Sequence, residues 1–89
     1  MAVYSVTYDL NAPRQDYDAV EKALSKYRHI KVMRTYWLID TGDTVSNVRD
    51  SIGRVMSRND ELLVARLEGS WATKGVSDNV VKWLKGRTF

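Results

Sequence analysis

The order of hydropathy patterns along the chain predicts an α+β sandwich: four strands backed by two helices, with a short third helix at the end. Three observations predict it. Residues 2–10 alternate with a period of two and are rich in β-branched and aromatic side chains, as a half-buried strand requires. Residues 14–28 and 44–58 instead place apolar side chains at helical spacing. Extended runs at 29–40 and 61–68 fall between and after them, so strands and helices interleave.

In residues 2–10, Tyr4, Val6, Tyr8 and Leu10 point one way, and Val3, Ser5, Thr7 and Asp9 the other. Asn11-Ala12-Pro13 breaks the strand. The first helix carries Tyr17, Val20, Leu24 and Tyr27 on one face. Its acids (Asp16, Asp18, Glu21) come early and its bases (Lys26, Arg28) late, which suits the helix dipole. Residues 29–40 are long for one strand, and a break near Met33-Arg34 would make two. Asp43 or Thr44 caps the second helix, which presents Val45, Val48, Ile52, Val55 and Met56 on one side. Residues 61–68 form the last strand, stopped by Gly69. Ser77 then caps a short helix that turns Val80, Val81 and Leu84 inward and ends at Gly86. The order β-α-β-β-α-β with both main helices on one sheet face is the ferredoxin-like plan.

At 89 residues the chain is expected to be a single domain, too short for a Rossmann enzyme, a TIM barrel or a P-loop kinase. A hydrophobic fraction of 44% and a charged fraction of 28% are those of a globular domain. There is no cysteine, which excludes disulfides, thiolate zinc sites and cysteine nucleophiles. The single histidine, His29, argues against a catalytic triad and excludes a multi-histidine metal site within one chain. A domain this small, without staples or zinc, is expected to gain stability by oligomerising.

The formal net charge is +3, all of it in residues 46–89, since the first half is balanced. No apolar run approaches the ~20 residues needed to span a bilayer. Met1-Ala2-Val3-Tyr4 lacks the positive start of a signal peptide. The expectation is a cytoplasmic protein without a membrane partner.

Two helices cover one face of a four-stranded sheet. The bulky tyrosine set of strand one belongs beneath them, leaving Val3, Ser5, Thr7 and Asp9 on the other face. Small residues there suit sheet-to-sheet packing in a symmetric dimer. Asp9, at the strand's C-terminal end, is the foremost chemical candidate; the alternative is that it caps the following turn. One carboxylate is too little for Mg²⁺, but a two-fold dimer would bring two Asp9 side chains together around the ion. The ion would then polarise a phosphodiester and hold a hydroxide. Arg49, Arg54 and Arg58 fall in helix two, where Arg54 and Arg58, as i, i+4 neighbours, form a basic edge suited to phosphate contact or to solvent. Trp37, Trp71 and Trp83 read as core, the last two fastening the C-terminal helix; base stacking is the alternative. Asp40 and Asp43, flanking Gly42, read as structural, as does His29.

Tyr8-Asp9-Leu10 closing strand one, a helix ending at Tyr27, Arg34-Thr35-Tyr36-Trp37-Leu38-Ile39 and Asp60-Glu61-Leu62-Leu63-Val64 resemble the CRISPR-associated protein two family. With the Trp71 and Trp83-Leu84 tail they look most like its stand-alone, SinR-like branch. The resemblance implies a homodimer with facing sheets, Asp9 as the Mg²⁺ ligand, Thr35 in the place of a serine that positions phosphate or water, and Arg14 in a basic loop. It implies either a metal-dependent nuclease acting on RNA or DNA, or a non-catalytic scaffold. Met33, Thr35 and Trp37-Leu38 stand where the CRISPR members commonly carry glutamine, serine and phenylalanine-glutamate. The favoured expectation is therefore a dimeric nucleic-acid-binding protein that does not cleave. The alternatives are an Asp9-dependent phosphodiesterase and a scaffold for a protein partner.

Overall fold

The computed structural model describes residues 2–11 and 16–89. In chain order the elements are β1 (Ala2–Asp9), α1 (Tyr17–Leu24), β2 (Arg28–Met33), β3 (Tyr36–Thr41), α2 (Val45–Gly53), β4 (Glu61–Arg66) and α3 (Asp78–Lys85). The strands form an antiparallel sheet in the order β2-β3-β1-β4. The fold is thus a small α+β domain with a four-stranded antiparallel sheet and three helices.

Local chemistry sets most of the boundaries. Asp16, Thr44 and Ser77 are the N-caps; their side chains accept from the backbone N–H of Ala19 (3.0 Å), Asn47 (3.1 Å) and Val80 (3.4 Å). Both main helices are shorter than their periodicity suggests. α1 closes at Leu24, where the Ser25 hydroxyl donates back to the Glu21 carbonyl at 2.7 Å. Tyr27 then leaves the helix and packs against the core from the loop. α2 stops at Gly53, so Arg54 is its C-cap and Arg58 lies in the turn beyond. Val55, expected on the buried helical face, is 42% exposed for the same reason. The break expected near Met33-Arg34 is a turn at Arg34-Thr35.

The alternation of β1 places Tyr4, Val6 and Tyr8 beneath α1 and α2. There they form one core with Val20, Leu24, Trp37, Ile39, Val48 and Ile52. The second face is not left bare along its whole width. Val3 and Leu38 form a second cluster with Val80 and Leu84 of α3, edged by Ile30, Val32, Leu67, Trp71 and Trp83. Arg87, stacked over Trp83 at 4.6 Å, donates to Asp40 on β3 at 3.1 Å and clips the C-terminal segment down. Only the β1–β4 half of this face remains open. Exposed Asp9 and Glu61, partly buried Ser5, Thr7 and Ala65, and a 63%-exposed Leu63 line it.

Candidate functional site

The open corner is set by strand register. Asp9 ends β1 and stands directly opposite Glu61 at the start of β4, so two carboxylates face each other across the pair. Among the described residues the Asp9 carboxylate accepts no hydrogen bond and forms no ion pair. The backbone just after β1 is held by Asp60, whose carboxylate accepts from Asn11 N and Ser57 N, both at 2.7 Å; residues 12–15, where the following turn continues, lie outside the described residues. The Asn11 side-chain amide completes the clasp, donating to Asn59 O at 3.2 Å and to a Glu61 carboxylate oxygen at 3.1 Å. The sequence reading missed Asp60. Its signal was Asn59-Asp60 just before a strand, a pairing that favours side-chain-to-backbone turn bonds.

Thr35 lies in the β2–β3 turn, and its carbonyl accepts from Tyr8 N at 3.2 Å. The fold thus carries Thr35 to the end of β1, one residue from Asp9. Arg14 lies outside the described residues. Arg49 pairs with Asp50 at 3.0 Å, both side chains more than half exposed, a contact worth little in water. Arg49 and Arg54 line one shallow depression between α2 and the start of β4, with Asp50 and Asp60 on its walls; Arg58 is exposed nearby in sequence but does not line it. Neither Arg54 nor Arg58 forms an ion pair among the described residues. The structure therefore separates an acidic corner (Asp9, Glu61) from a basic flank (Arg49, Arg54), with Thr35 meeting β1 from its β3 side through the backbone bond to Tyr8.

Among the described residues no three metal-ligating side chains come together. Asp9 with Glu61 offers two hard oxygen donors, which is what Mg²⁺ takes from protein before water and phosphate complete its shell. Glu61 is already engaged by Asn11, so Asp9 is the freer ligand.

The remaining aromatic candidates are structural. Trp37 is 4% exposed in the main core, with His29 tilted against it at 5.2 Å, and His29 Nδ1 lies 2.9 Å from the Tyr27 carbonyl. Tyr8 is 4% exposed, and burial pushes its phenol above the ordinary tyrosine value. The Trp37 indole offsets part of that rise, yet neither the Tyr8 hydroxyl nor Trp37 Nε1 reaches hydrogen-bond geometry with a partner among the described residues. No helix among the described residues is long and apolar enough to cross a membrane. The chain matches no known protein family and none of the curated proteins with which it was compared.

Proposed function

We propose that the chain is a ferredoxin-like homodimer of the CRISPR-associated protein two-like type, on the stand-alone SinR-like side, that binds nucleic acid without cleaving it. The observation that carries the binding is the pair of exposed guanidinium groups of Arg54 and Arg58, free of acidic partners among the described residues. Phosphate is their natural counterion, and releasing condensed cations from a nucleic acid drives such contacts. The strand order β2-β3-β1-β4 supports the ferredoxin-like plan. The open β1–β4 half-face supports the dimer: it offers small side chains around one exposed leucine, Leu63, to a second copy.

Binding to RNA and DNA measured against salt tests this reading. The expected log–log slope is about 0.9 per duplex phosphate neutralised, and Arg54→Ala with Arg58→Ala should lower it by nearly two such steps. A flat salt dependence, or a slope the double variant leaves unchanged, would overturn it and favour a protein partner.

A catalytic reading is kept because Asp9 has no hydrogen-bond or ion-pair partner among the described residues and Thr35 is bonded through its backbone to the neighbouring Tyr8. In a symmetric dimer, Asp9 from each copy would hold Mg²⁺, Thr35 would position phosphate or water, and the ion would polarise the phosphodiester. Wild type and Asp9→Asn are compared on labelled RNA and DNA with Mg²⁺ or with EDTA. Cleavage by wild type alone, lost with EDTA, would replace the non-catalytic reading; equal behaviour of both proteins would end the catalytic one.

A further inference from the structure

Leu67 leaves β4 with its backbone N–H bonded to the Val3 carbonyl at 2.8 Å, and the chain then crosses the second sheet face toward α3. Between this crossing segment and the sheet lies a half-open cleft of about 240 Å³. Its floor is Val32 and Leu38, and its far wall Val80 and Leu84, so the interior is apolar. The outer wall runs from Trp71 to Val76 and turns at Gly75, whose φ of +79° is the left-handed conformation glycine adopts without strain.

The polar residues on this lining are Tyr36, Trp71, Thr73 and Lys74, and Lys74 is the one charged residue among them. None of their side chains has a hydrogen-bond or ion-pair partner among the described residues. No carboxylate is on the lining. An apolar interior whose lining carries one unpaired cation and no carboxylate is complementary to an apolar body with an anionic head. We propose that this cleft binds a small organic anion, an aromatic or short acyl group bearing a carboxylate or sulfonate, with its apolar part against Val32 and Leu38 and its charge at Lys74. The site lies on the covered half of the face, away from Asp9 and from the arginine flank, and does not depend on the nucleic-acid reading.

The test uses 1-anilinonaphthalene-8-sulfonate on the full chain, by calorimetry and by amide chemical shifts. One saturable site is expected, with shifts gathered on Val32, Tyr36, Leu67 and Val76. Lys74→Glu should weaken binding by about tenfold or more, the scale of one charge-assisted hydrogen bond, and the uncharged N-phenyl-1-naphthylamine should bind wild type more weakly by a similar factor. Ala72→Trp, at an exposed wall position, should fill the opening and also weaken binding. Both substitutions are on the surface, and an unchanged urea midpoint would show that the fold is intact. Absence of saturable binding to the folded protein would overturn the proposal. So would variants that bind like wild type, or shifts gathered elsewhere on the surface.

Discussion

Tyr8 sits where the main core meets the end of β1, and its phenol is held neutral by burial. A phenol whose folded pKa is raised contributes stability below its unfolded value, near 10, and loses it as pH climbs past that value. Wild type is therefore expected to lose stability above about pH 10 more steeply than Tyr8→Phe, as read from urea midpoints across that range. At neutral pH the same substitution removes a hydroxyl without a partner among the described residues and should cost less than about 1 kcal/mol. Asp60 behaves oppositely: its carboxylate ties Asn11 and Ser57 together across 49 and 3 residues of sequence. Asp60→Ala should destabilise by about 1–2 kcal/mol in urea titrations, whereas Asp9→Asn, which relieves a like-charge cross-strand pair, should cost nothing or gain a few tenths. Asp9 was legible because it ends an alternating strand. Asp60 was not, because its value depends on a loop that only folding brings to it.

The elements divide by what holds them. α1 and α2 stand on the main core, and Ile52→Ala in α2 should cost about 2–5 kcal/mol, since Ile52 is fully buried and leaves a cavity. α3 is held more lightly, by Val80 and Leu84 and by the Arg87–Asp40 pair, whose side chains are 24% and 12% exposed. Arg87→Ala leaves that carboxylate without its guanidinium and uncovers Trp83. The expected loss is about 1–3 kcal/mol, short of the figure for a fully buried pair, with Trp83 fluorescence shifting to the red. The helix itself was readable from Ser77, the Val80–Leu84 spacing and Gly86. Its seat on the second face was not, because Val3 alternates in phase with the small polar residues Ser5 and Thr7 of its strand. The partners that make Val3 apolar core, Leu38 and Leu84, lie far along the chain.

At the scale of the molecule, the second sheet face is shared between two uses. The C-terminal segment covers the β2–β3 half, and the β1–β4 half stays open around Leu63. For the proposed dimer, Leu63→Glu should give a monomer by sedimentation while leaving the urea midpoint of a dilute sample nearly unchanged, because the side chain is 63% exposed in the single chain. A variant that sediments like wild type would place any self-association on another surface. The sequence by itself determined the element order, the Ser77 cap of α3 and the inward set of β1, because period and capping are local properties of neighbouring residues. Tertiary structure alone decided that α3 closes half of the second face, that the Thr35 carbonyl meets Tyr8 N near the end of β1, and that Arg58 falls outside the helix carrying Arg49. Each follows from side chains distant in sequence competing for the same apolar surface, or from a helix ending where its hydrogen bonds run out.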